Sequence, residues 1–367
     1  MASSPLAATV GTHRLYAVII RDGNTGPRCI SSILPSHVSL HFLDESVLTN
    51  MSTLPGNTLL FNMRSLASLR RFEHLLPARS SSPRSESEVS TVPRVHLWHL
   101  ADERGTSTLS SAYDRFAFAS VIRDYYFGSL PHTRRRVHML GGHACAAQPP
   151  VLHPRTQVYA LFPWGVTKES PFIADGSALL PMRSRPIVCA WTGYLHGSAR
   201  KQLKVFLEGS HRNAMWARAH CHIHFNDKFA VGSVEAYHVA LSQTVFYLNP
   251  EGNTRALDNI RWGEIMRHAA IPVNVDTFRF GQNASEGHDV FTGRPPPGLY
   301  ASRWADAFEQ MRAILESADG AQRLQAMQRE VIEWRATALG CVRQDVGALL
   351  AGVAIDAGEA TRATSRA

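Results

Sequence analysis

Residues 245–275 read VFYLNPEGNTRALDNIRWGEIMRHAAIPVNV. Val245–Leu248 is an unbroken apolar run closed by Asn249-Pro250-Glu251-Gly252-Asn253, so it reads as a buried strand ending in a turn. Leu257–His268 follows with helical spacing, and Ile271–Val275 is a second strand. Thr254 and Asp258 are the candidates for the helix N-cap. A turn of this kind gathers backbone N–H groups and a helix N-terminus at one point, where a diphosphate is favoured. Arg261 and Glu264 stand three apart and share one helix face. A guanidinium there can pair with phosphate oxygens, and a carboxylate can accept hydrogen bonds from two ribose hydroxyls. The same pattern also fits an ordinary strand–turn–helix unit whose Arg–Glu pair is solvated and contributes little.

Working outward, Pro186–Trp191 is a continuous apolar strand of the type buried in parallel sheets, ending in Thr192-Gly193. The helix Ala199–Leu207, the strand His220–Phe225 and the helix Val234–Ser242 fill the space up to residue 245. Ser302–Leu339 holds the last long helices, and the tail beyond Gly352 reads as disordered. Toward the N-terminus, strands are expected at Leu15–Ile20, Val38–Leu43, Thr58–Phe61, Arg94–Leu100 and Arg136–Leu140. Helices are expected at Ser65–Leu76 and Tyr113–Phe127. Arg79–Pro93 is a mobile Ser/Pro-rich loop, and Gly141–Pro154 is a loop rich in Gly, Pro and Ala. Strand–helix alternation in both halves implies an α/β protein with two Rossmann-like parallel-sheet domains facing a cleft. The boundary falls near residues 165–185, giving an N-terminal domain over 1–175, a C-terminal one over 176–352 and a tail over 353–367.

Composition bounds the chemistry. The 367 residues carry 38 Lys+Arg against 30 Asp+Glu, a net charge of +8, and 44% hydrophobic residues. That excludes wholesale disorder and fits two domains with real cores. Four of the basic residues are lysines and 34 are arginines, the better fork for phosphate and carboxylate. No apolar run reaches the roughly 20 residues of a membrane-spanning helix. Leu15–Ile20 reads as a first strand and not as a signal peptide.

At this point three blocks, taken in order, acquire a family resemblance. Pro250-Glu251-Gly252, Arg261-Trp262-Gly263-Glu264 and Ile271-Pro272-Val273 resemble the donor-binding signature of exostosin-type glycosyltransferases, glycosyltransferase family 47. Ala190-Trp191-Thr192-Gly193 with Arg200 after it is similar to the family's Phe-x-Gly strand end and trailing arginine. His99-Leu100-Ala101-Asp102-Glu103 and Val121-Ile122-Arg123-Asp124-Tyr125-Tyr126 resemble a further block pair of exostosin-like members. The likeness runs over residues 94–280; Asp124 stands where the family has Asn, and His268-Ala269 where it has Gly.

What the resemblance implies is a GT-B-type fold and inverting transfer of a sugar from a nucleotide sugar, a UDP-sugar, to a glycan or glycoprotein acceptor. The donor would meet Thr192, Gly193, Arg200, Pro250, Gly252, Asn253, Arg261 and Glu264. The acceptor would meet Arg123 and Tyr125, and Glu103 or Asp102 would be the base that removes its proton. No metal and no further cofactor is required, and the chain contains no Asp-x-Asp motif by which a metal is held on a sugar diphosphate. The family works in the Golgi or ER lumen. An inactive exostosin-like glycan-binding or assembly protein is the alternative, and the sequence has no nucleic-acid-binding motif.

Other features have plainer readings. His220, His222 and His224 alternate on one expected strand face, which suits packing or a cleft lining better than zinc. Arg134–Arg136 reads as a solvated basic cluster. Trp164 and Trp191 could stack on sugars but fit a core equally. The five cysteines, Cys29, Cys145, Cys189, Cys221 and Cys341, show no CxxC pair and read as small buried hydrophobes, with one or two disulfides open to a lumenal protein. Sequons begin at Asn50 and Asn283.

Overall fold

The computed structural model describes residues 13–19, 34, 36, 38–43, 51–52, 54, 58–62, 72–76, 95–99, 116, 118–123, 137–140, 157–161, 179–195, 198–226, 234–250, 260–275 and 296–351. Among these residues the strands form two sheets, and the strand pairings within them are parallel. The first holds β1 (His13–Ile19), β2 (Val38–Leu43), β3 (Thr58–Asn62), β4 (Val95–His99), β5 (Ser120–Arg123), β6 (Val137–Leu140) and β7 (Gln157–Leu161) in the order 2-1-3-4-5-7-6. The second holds β8 (Ile187–Tyr194), β9 (Cys221–Asn226), β10 (Thr244–Pro250), β11 (Ile271–Val275) and β12 (Leu299–Ala301) in the order 12-11-10-8-9. The expected α/β class with two parallel sheets is what the chain forms, and the sheets part between Leu161 and Ile187.

The second unit carries helices α1 (Ser198–Glu208), α2 (Arg212–His220), α3 (Val234–Ser242), α4 (Ile260–Arg267), α5 (Trp304–Glu316) and α6 (Gly320–Ala351). All seven residues of β10 and all five of β11 are buried, as expected of strands covered on both faces. One face of the sheet packs against α1, α2 and α5, where Phe206 stacks on Phe308 with centroids 5.3 Å apart and the Trp304 indole N–H donates to Ala199 O. α6 packs on α4, α5, β11 and the 3₁₀ turn Met182–Ser184, and it also reaches β6 of the first sheet. Gly340 lies exposed inside α6 with nothing within 4 Å of where its Cβ would stand. Gly340→Ala is therefore expected to raise the unfolding free energy by about 0.5–1 kcal/mol, because alanine loses less backbone entropy in a helix. Urea denaturation checks this, and an unchanged midpoint refutes it.

A polar cluster sits beneath the sheet. Arg185 is buried, with Nη1 donating to Thr244 O at 2.7 Å and Nη2 to His268 O at 2.8 Å. Burial lowers its pKa to about 10. Above it, His238 Nδ1 and His268 Nε2 share a hydrogen bond of 2.8 Å, joining α3 to the end of α4. Burial first, then the neighbouring His238 and the guanidinium groups of Arg267, Arg185 and Arg335, push His268 down to about 3. Burial and Arg267 lower His238 as well. The pair is held neutral. α4 then ends through Ala269 in a left-handed conformation, φ 49°.

Several expectations are corrected. Residues 120–123 form a strand and not part of a helix over Tyr113–Phe127: Val121 and Ile122 are β-branched, and each is buried in the middle of a sheet. His220 closes α2, so the histidine strand begins at Cys221. α2, β7 and β12 were not anticipated, and the last helix runs on to Ala351. The 79–93 loop, the 141–154 loop, the greater part of the expected helix Ser65–Leu76 and the tail beyond Gly352 lie outside the described residues.

Candidate functional site

In the second sheet the chain leaves β8 to build β9 on one flank and then places β10 on the other. The carboxyl ends of β8 and β10 therefore form a topological switch point, where parallel α/β sheets open a crevice for ligands. β8 ends in Trp191-Thr192-Gly193-Tyr194 and β10 in Asn249-Pro250. The N-terminus of α4 follows β10, so Arg261 and Glu264 are carried to this place by a short helix on an otherwise buried strand pair.

Gly193 is what lets Arg261 in. A Cβ on it would lie 2.8 Å from both Nη1 and Nη2 of Arg261 and 2.7 Å from Cζ2 of Trp191. The guanidinium rests on the strand end, its Cζ 5.6 Å from the centroid of the buried Trp191 ring. Arg200, at the start of α1, brings a second guanidinium to 6.0 Å from that centroid and donates from Nη1 to Tyr194 O at 3.1 Å. Two cations thus approach one indole ring, and an anion bound at this strand end would offset their charge. Arg261 Nη1 is buried with no hydrogen-bond partner, a cost that a phosphate oxygen would remove.

Glu264 is anchored from α3. The Tyr237 hydroxyl donates to Glu264 Oε2 at 2.9 Å. Tyr247, on β10, packs edge to face on the Tyr237 ring and accepts from the Thr192 backbone N–H at 3.3 Å. Burial, then the charges of Tyr247 and Glu264, push Tyr237 well above the ordinary phenol range, against the pull of Arg261. Burial likewise raises Tyr247. Both hydroxyls keep their protons at any physiological pH. The carboxylate is thus held by a phenol from a second helix, and Arg261 stands one turn before it on α4.

The sequence matches no protein-family model and no curated protein. Solved structures resemble it more distantly. An O-GlcNAc transferase mutant from Thermobaculum terrenum aligns at a TM-score of 0.40 with 11% identity, over 95% of this chain and 68% of that one. A DNA-modifying β-glucosyltransferase, solved with and without its substrate uridine diphosphoglucose, aligns at 0.41 with 9% identity, over 92% and 99%. A UDP-glucosyltransferase from Polygonum tinctorium aligns at 0.37 with 10% identity, over 95% and 100%. At such scores the case for the site rests on its own residues.

Of the residues expected to meet the donor, Thr192, Gly193, Arg200, Arg261 and Glu264 come together at the switch point. Pro250 ends β10 there, opposite Val275 of β11. Gly252, Asn253, Asp102, Glu103 and Tyr125 lie outside the described residues, as do Thr254 and Asp258. Arg123 is the last residue of β5, beside Ala160 of β7, and only its backbone is described. Trp191 is not a sugar platform: it is fully buried, tilted against Phe225 at 5.1 Å, and serves as the floor under the arginines.

Sequence reasoning missed Tyr237 and Tyr247, since no spacing rule marks a phenol that will reach a carboxylate 27 residues away. It also missed a buried amide pair on neighbouring strand ends. Asn249 Nδ2 donates to Asn274 Oδ1 at 2.8 Å, while Asn249 Oδ1 and Asn274 Nδ2 are buried without partners. The cysteine reading is corrected: Cys189 and Cys221 face each other in register on β8 and β9 and form a disulfide, and Cys341 is disulfide-bonded as well. His222 and His224 are exposed on the edge strand β9, and no group of three metal-binding side chains occurs among the described residues. Nor is any described helix long and apolar enough to cross a membrane.

Proposed function

We propose that the chain is a glycosyltransferase that holds a nucleotide-diphosphate sugar, a UDP-sugar, at the β8–β10 switch point. The observation that carries this is the convergence of Arg200 and Arg261 on the Trp191 ring, with the Tyr-anchored carboxylate of Glu264 one helical turn away. Cations at that spot suit a diphosphate, and a fixed carboxylate suits the hydroxyls of the attached pentose. In this reading the two guanidinium groups neutralise the charge that develops as the nucleoside diphosphate departs, and no metal is required.

The reaction proposed is a single displacement. An acceptor hydroxyl oxygen forms the new bond to the anomeric carbon as the bond from that carbon to the diphosphate oxygen breaks. The electron pair leaves with the diphosphate, configuration inverts, and the acceptor's proton passes to Glu103 or Asp102. Arg123 and Tyr125 would meet the acceptor, a glycan or glycoprotein. The exostosin-type blocks in the sequence support this finer assignment, and the Cys189–Cys221 disulfide supports maturation in an oxidising lumen.

Thermal denaturation with nucleotide sugars tests the reading. UDP or a UDP-sugar at about 100 times its Kd is expected to stabilise the protein by about 2.7 kcal/mol. Glu264→Ala is expected to abolish most of that shift. A wild-type protein that no nucleotide sugar stabilises would refute the proposal.

A further inference from the structure

The geometry points to Tyr237 as the positioning residue through which Glu264 selects a ribose-bearing ligand, an inference that rests on the donor-site reading above. A glutamate on a helix has three side-chain torsions and no intrinsic reason to hold one of them. Here one oxygen is fixed by the Tyr237 hydroxyl at 2.9 Å, from a different helix, across the sheet end. Tyr237 has one proton, and it is given to Glu264. Beneath it, the Tyr247 hydroxyl oxygen accepts from the Thr192 N–H at 3.3 Å.

The two phenol rings meet edge to face, centroids 6.2 Å apart and planes at 85°, so Tyr247 holds the Tyr237 ring in place by packing. Tyr237 also packs against His238, 5.4 Å between centroids, the residue that ties α3 to the end of α4. α3 and α4 are thus fastened at successive positions, 237 to 264 and 238 to 268. The carboxylate is delivered to the ligand in a set orientation, and its pairing with vicinal hydroxyls draws on an oxygen that already has its place. Thr192, expected to touch the donor itself, acts here through its backbone N–H, which holds the Tyr247 hydroxyl.

Two probes separate this role from a merely structural one: UDP, and 2′,3′-dideoxyuridine diphosphate, which keeps the charge and the base but lacks both hydroxyls. Calorimetric titration of the intact chain is expected to show UDP binding at least 10-fold tighter than the dideoxy probe. Tyr237→Phe keeps the ring and removes the donor. It is expected to weaken UDP about 10-fold while leaving the dideoxy probe unchanged within 2-fold. Equal loss on both probes, or no loss on either, overturns the inference while leaving the donor-site reading in place. A wild-type protein that binds neither probe overturns that reading and this inference with it. Should Tyr237→Phe fold poorly, Glu264→Gln supplies the same comparison, since an amide oriented by Tyr237 keeps part of the preference for UDP and an unoriented one keeps none.

Discussion

Gly193→Ala is expected to weaken UDP binding about 100-fold, equivalent to about 2.7 kcal/mol, by displacing the Arg261 guanidinium. The new methyl would stand 2.8 Å from both terminal nitrogens of Arg261 and 2.7 Å from Trp191 Cζ2. The indole is rigid and buried, so the flexible guanidinium is the group that yields. Once it leaves the strand end, the charge-assisted contact it offers a phosphate is lost, a loss of order 1.5–3 kcal/mol. Folding should suffer more modestly, by about 1–3 kcal/mol for overpacking against Trp191. The decisive measurement is a cycle: Arg261→Ala alone should cost about as much affinity as Gly193→Ala, and the double variant no more than either. Additive losses would show that Gly193 does not act through Arg261.

Acid is expected to unfold the second domain earlier than its surface charge would suggest. His268 is held near 3 and His238 below its ordinary value, both mainly by burial, while in the unfolded chain each returns to about 6.5. A base whose folded pKa is depressed binds its proton preferentially in the unfolded state. The stability it supports is complete above pH 6.5 and drains away as pH falls toward 3. The slope is about 1.4 kcal/mol per pH unit for one such histidine, so His268 alone removes about 2 kcal/mol between pH 7 and pH 5, and His238 adds to it. Urea denaturation at the two pH values measures the loss. A His238→Gln, His268→Gln protein should lose correspondingly less over the same interval; an identical loss would show that the pair is not its source.

Much of the second domain can be read from its residues because its strands are buried on both faces. Val245–Leu248, Ile271–Val275 and Pro186–Trp191 announce themselves as apolar runs closed by turn residues, and Arg261 and Glu264 follow at helical spacing. The same rule misleads at Val121-Ile122, where a four-residue strand follows the aromatic pair Phe116 and Phe118 and the longer stretch mimics a helix. α2 escapes notice because its buried positions are Asn213, Ala214 and Ala217, too small and too polar to write a stripe. β12 has three residues, fewer than any period needs. The site divides along the same line. Arg200, Arg261, Gly193 and Glu264 belong to recognisable blocks, whereas the Tyr237–Glu264 contact and the Cys189–Cys221 bond depend on which elements become neighbours, and no local pattern encodes that.

The bond between Cys189 and Cys221 closes 32 residues of chain into a covalent ring that contains the end of β8, both helices α1 and α2, and Arg200. An outermost strand normally peels first, one rung at a time. Here β9 cannot depart without dragging β8, and with it the seat of both guanidinium groups. The margin of the sheet is therefore bound covalently to the strand on which both arginines rest, which ties what is ordinarily the loosest part of such a fold to its centre.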